Sequence, residues 1–148
     1  GAFVPAYVIY PDAQIPMVQL SIDNSYDPAM HIELGHALRP LREEGVLILG
    51  SGASYHNLRL LGPEGAAPSE AFDAWLEHAL VESTSYEQRM QQIEQWEFAP
   101  AARIAHARED HLVPLFTALG ASEPNDPVTR ILSSRSPAGI MNASYRFG

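Results

Sequence analysis

GVLILGSGASYHNLR, Gly45 to Arg59, drives four apolar residues, Val46 to Leu49, directly into the small, flexible run Gly50-Ser51-Gly52-Ala53-Ser54 and then delivers Tyr55, His56 and Asn57. A short continuous apolar run bounded by glycines has the pattern of a buried strand, and small residues just beyond it have the pattern of a loop at the strand's carboxyl end. Open α/β sheets keep their sites at that end. The stretch therefore predicts an α/β fold and a histidine presented on a loop.

Upstream, Pro16–Ile22 alternates Met17, Gln19 and Ser21 against Val18, Leu20 and Ile22, as a strand with one buried face does. Asp27 and Pro28 can start a helix. Met30, Leu34, Leu38 and Leu41 then recur at helical spacing to about Arg42, with Pro40 disturbing the end and Gly45 stopping it. Strand, helix and strand in this order predict a βαβ unit with parallel, neighbouring strands and a right-handed crossover. Downstream, Ser69 is expected to cap a helix whose Phe72, Trp75, Leu76, Ala79 and Leu80 form one face. A surface helix should carry Tyr86, Met90 and Ile93, and another should turn Leu112, Leu115, Phe116 and Leu119 inward and end at Gly120. Pro114 fits only a first turn, which places His111 beside that helix start. Gly139–Phe147 reads as a last strand.

Composition narrows the function classes. The 148 residues are 46% hydrophobic and carry a net charge of −9, with 18 acidic against 9 basic residues. This suffices for one globular domain and argues against a nucleic-acid or anionic-membrane partner, both of which need clustered cations. The absence of cysteine removes disulfides, thiolate nucleophiles and iron–sulfur clusters, suits a reducing, cytoplasmic setting, and leaves histidine and carboxylate as the ligands for any metal. The opening GAFVPAYVIY has the character of a domain interior, so a fragment of a longer domain is the expectation.

Two segments hold the candidates. His56 sits on the small-residue loop, where an imidazole that titrates near neutral pH can meet a substrate; it can equally bond its own loop, with Asn57 as a turn residue. Ser51 lacks the GxSxG elbow of a hydrolase. HAREDH, His106 to His111, places two histidines and carboxylates in six residues, although a spacing of five does not bring both histidines to one helical face. Arg108, Glu109 and Asp110 fit a solvated helix start. His31, near the first loop, can line the same cleft, whereas His36 and His78 read as surface residues.

GVLILGSGASYHNLR together with HAREDHLVPLFTALGA closely resembles the class III extradiol ring-cleaving dioxygenase superfamily, in its DOPA 4,5-dioxygenase-like branch. GAFVPAYVIYPDAQIPMVQLSID resembles the segment after that family's Asp-His-Gly turn, and SYRFG its C-terminus. The resemblance implies a three-layer α/β/α domain with a mostly parallel or mixed central sheet, of which residues 1–148 are the C-terminal portion. It implies one divalent metal ion, Fe(II) or Zn(II), and a catechol-type substrate opened by dioxygen. His111 matches a metal-ligand position, and His56 the active-site histidine, acting as acid–base or as an outer ligand. His106 matches the first histidine of the same motif and is expected to be catalytic, with Asn57 and His31 at the substrate. Ala107 stands where a proline is common. Further metal ligands are expected from an absent N-terminal segment, supplied by a longer chain or by a partner, a second copy included. A non-enzymatic binding or redox-linked module of the same fold, and a metal-dependent hydrolase, remain open at this point.

Overall fold

The computed structural model describes residues 3–148, Phe3 by its backbone alone; Gly1, which the resemblance places at the Asp-His-Gly turn, lies outside the described residues. The elements are α1 (Phe3–Ile9), α2 (Pro28–Leu38), α3 (Ala66–Glu77), α4 (Tyr86–Glu94), α5 (Ala102–Ala105), α6 (Val113–Gly120), β1 (Val128–Arg135) and β2 (Met141–Phe147). Helices dominate, and the one sheet among the described residues is the antiparallel pair β1–β2.

The helix starts obey local chemistry. Asp27 caps α2 by accepting the Met30 N–H at 2.7 Å, with Pro28 in the first turn. Replacing Asp27 by alanine should cost about 1 kcal/mol by loss of this cap, seen as a melting point lower by roughly 3 °C. Pro40 ends the regular helix at Leu38 because it offers no N–H; the chain tightens into a 3₁₀ turn, Arg39–Glu44, and stops at Gly45 with φ 81°. Which face α2 buries differs from expectation. His31, Ile32 and Gly35 go inward, while Met30 stays exposed. Backbone proximity decides this, since a Cβ on Gly35 would fall 2.3 Å from the Thr117 carbonyl and one on Gly120 would fall 2.2 Å from that of Ile32. The two helices cross where side chains would not fit.

Helix α3 begins at Ala66, so Ser69 is inside it rather than capping it. The Ser69 hydroxyl donates to the Ala66 carbonyl and accepts the Met141 N–H at 3.0 Å, tying α3 to β2. Phe72, Leu76, Ala79 and Leu80 are fully buried, joined by Ile93, Trp96, Leu112, Val113, Phe116 and Leu119 in one core. On the hairpin, Arg130 and Tyr145 are cross-strand partners beside a bulge at Ile131. Arg130 reaches Asp73 and Glu77 at 2.5 Å each, and Arg135 reaches Glu70 at 2.9 Å. Part of the acidic excess is thus spent along one face of α3.

The expected βαβ unit is not formed. Pro16–Ile22 and Val46–Leu49 carry no ladder, parallel or antiparallel, among the described residues, and Val18 and Leu47 are 94% and 65% exposed. Alternation and apolar runs suit a segment to a strand, but a strand exists only where a neighbour takes its N–H and C=O groups. Neither segment has such a neighbour among the described residues. No described helix is long and apolar enough to cross a membrane.

Candidate active site

Glycine decides where the His56 loop lies. A Cβ on Gly50 would fall 2.4 Å from the Pro114 carbonyl, and one on Gly52 only 2.1 Å from the His111 carbonyl. The loop therefore runs backbone to backbone against the start of α6. Ala53 donates its N–H to the His111 carbonyl at 2.9 Å, and His56 donates its N–H to Ala105 at 3.1 Å. The small residues after Leu49 are what allow this approach.

The approach brings His56 and His111 together. Their rings stack face to face with centroids 3.4 Å apart and planes inclined by 19°. Asp110 completes the group, and the donor atoms of His56, Asp110 and His111 lie within 4.8 Å of one another. His111 Nδ1 is buried without a hydrogen-bond partner. The Asp110 carboxylate stands 3.2 Å from it, off the line of a hydrogen bond. Two ligands of one ion at bond lengths near 2.1 Å stand about 3 Å apart. An orphaned imidazole nitrogen beside a carboxylate at that separation, with only nitrogen and oxygen donors, fits Fe(II) or Zn(II). Burial lowers the pKa of His56, helped by His111 across the stack and opposed by Asp110.

His106 is fully buried beneath this pair. Its ring meets Phe72 and Trp96 edge-on, with centroids 5.2 and 6.1 Å away. Nε2 lies 3.1 Å from the Ser54 carbonyl, which can only accept, so Nε2 carries the proton and the unpartnered Nδ1 a lone pair. Neither nitrogen is open to a substrate, so the structure does not give His106 the direct catalytic contact expected from its motif. Burial lowers its pKa from 6.5 to about 4, against the opposing effect of the Ser54 bond. Above pH 6.5 both folded and unfolded chains are neutral there. As pH falls from 6.5 to 4 the unfolded chain gains a proton that the folded one refuses. Stability should drop by about 1.4 kcal/mol per pH unit over that window, about 3 kcal/mol in all. Denaturant unfolding at pH 7 and pH 5 should show about 2 kcal/mol of this loss in the natural protein, and His106→Gln should lack that contribution.

The other expected residues lie elsewhere or are already engaged. Asn57 donates to the Ile104 carbonyl at 2.7 Å and accepts the Arg59 N–H at 3.1 Å, which is the work of a turn residue. His31 is fully buried, accepting the Asp23 N–H on Nε2 and donating from Nδ1 to the Asp27 carbonyl. Both its nitrogens hold the loop before α2, so a substrate contact gains no support. His36 bonds Glu33 and Tyr86, and His78 bonds Glu82, away from the cluster. Asp110 was missed by reading HAREDH as a solvated start. Adjacency to His111 was its only signal.

A stacked histidine pair with a carboxylate at a glycine-lined loop can be compared with known proteins. All 148 residues match the family described as the catalytic LigB subunit of aromatic ring-opening dioxygenase. The chain belongs to the LigB family. Among relatives, it is 42% identical to "4,5-DOPA dioxygenase extradiol" of Beta vulgaris, over 99% of this chain and 54% of that protein. It is 36% identical to "Dioxygenase tasH" of Hapsidospora irregularis, over 86% of this chain and 43% of that one. The crystal structure of an uncharacterized Escherichia coli K12 protein superposes with a TM-score of 0.84 at 30% identity, over 97% of this chain and 59% of that chain. This LigB-family chain thus spans about half the length of the curated relatives it matches. The family and its relatives place it in the class III extradiol dioxygenase superfamily.

Proposed function

We propose that these residues are the C-terminal portion of the catalytic domain of a metal-dependent extradiol dioxygenase that opens the ring of a catechol with dioxygen. The observation that carries this reading is the convergence of His56, Asp110 and His111 within 4.8 Å in a LigB-family chain. His111 and Asp110 would hold the ion, with further ligands from a segment outside these residues. When bound, the divalent ion supplies positive charge that draws the ionised catechol and dioxygen together.

The stack divides the labour between the histidines. Nearly parallel rings 3.4 Å apart point their lone pairs in separate planes, so an ion in the plane of one ring is badly placed for the other. With Asp110 beside His111, that leaves His56 free to move a proton. Its lowered pKa keeps it neutral near pH 7, able to take a proton from a catechol hydroxyl at a ring nitrogen and return it when the opened product needs one. The tight, glycine-dependent backing of the loop holds that nitrogen in place.

Metal analysis of the purified protein with oxygen uptake on a series of catechols tests the reading, and the relatives' name makes DOPA the first to offer. One dioxygen consumed per ring opened, lost on chelation and regained with added metal, is the expected result. A metal-loaded protein that consumes no dioxygen on any catechol would sink it, and hydrolysis without oxygen would replace it with a hydrolase.

A further inference from the structure

We infer that His106 is a positioning residue, an uncharged hydrogen-bond donor that pins the Ser54 carbonyl and through it aims His56. Three observations meet here. The Nε2–H of His106 bonds that carbonyl at 3.1 Å, two residues before His56. The ring is wedged between Phe72 and Trp96 and fully buried, so the donor does not move. Two further ties of the loop, those nearest His56, come from the same strip of chain: the Ala105 carbonyl takes the His56 N–H, and the Ile104 carbonyl takes Asn57 Nδ2. His106 is the one side chain in that strip that reaches across to the loop.

The apolar wedge explains why a histidine serves. A charged donor would bear the full cost of desolvation at this fully buried position, and an aliphatic residue would fill the space without bonding the carbonyl. Imidazole supplies a rigid N–H on a flat ring, and leaves Nδ1 without a partner as the cost. That buried orphan has no explanation in a residue that packs only.

The turnover arm of the test rests on the dioxygenase reading; the exchange arm does not. Gln at position 106 carries an N–H about as far from the backbone as Nε2, whereas Met fills the volume without a donor. In purified His106→Met, amide exchange at Ala53 and His56 should quicken by about 10-fold while α3 and the hairpin keep their protection. Its kcat should fall about 100-fold at unchanged KM and metal content. His106→Gln should match the natural protein in amide exchange, kcat, KM and metal content. Exchange that stays slow in the Met variant, or that quickens equally throughout the molecule, overturns the inference, as does a folded Gln variant impaired as much as Met. A natural protein that consumes no dioxygen removes the dioxygenase reading, and the exchange pattern then decides the positioning alone.

Discussion

Gly52→Ala is expected to separate the two histidines. The added methyl would fall 2.1 Å from the His111 carbonyl, and the neighbouring bond from the Ala53 N–H to that same carbonyl holds the two segments together. Neither partner is a flexible side chain, so the loop must lift from α6. Overpacking against backbone costs about 3 kcal/mol, a melting point lower by roughly 9 °C in a chain of this size. Turnover should fall with it, because His111, which would hold the ion with Asp110, lies on one side of the displaced contact and the proton-moving His56 on the other. A Gly52→Ala protein that melts within about 2 °C of the natural one and keeps its turnover would show that the approach is not needed.

The second large effect separates the roles of the stacked pair. His111→Ala should reduce metal content at least 10-fold, roughly what the loss of a supporting group alone can do, and Asp110→Ala should lower it in the same direction. His56→Ala should leave metal content within about twofold and lower turnover by about 10² to 10⁴, the usual worth of a positioned acid–base group. A thermal melt of each variant distinguishes a lost group from a collapsed site. Metal lost equally from the His56 and His111 variants would mean that the rings turn out of their stack to share the ion.

What the sequence disclosed follows from how local each signal is. Asp27-Pro28, Pro40, Gly45 and Pro114 act on their own turns, and the helix boundaries near them lie where expected. The pairing of His56 with His111 was legible only through the family resemblance, since nothing in spacing brings residues so far apart to one place. The strands expected at Pro16–Ile22 and Val46–Leu49 have no ladder among the described residues, because apolar patterning describes what a segment can offer, whereas a ladder depends on a neighbour. β1 was overlooked for a related reason: Ile131 is extruded at a bulge, which breaks the alternation of Val128, Arg130 and Leu132. Asp110 carried only its place in HAREDH, and Ser54 no pattern at all. One matters by standing next to His111, the other by a backbone carbonyl that any residue would present.

The Ser54 hydroxyl accepts the N–H of Ala143, a bond across 89 positions, and His106 meets Ser54 across 52. Such distant ties make the His56 loop late in the order of folding, because the entropy of closing long stretches of chain must be met before they hold. During synthesis the loop emerges before β2 and waits for it. Its last restraint comes only when β2 has left the ribosome and laid itself beside β1. A stacked histidine pair assembled in this way is absent from the nascent chain, so the ion proposed for His111 and Asp110 would meet a folded chain and take no part in starting its folding.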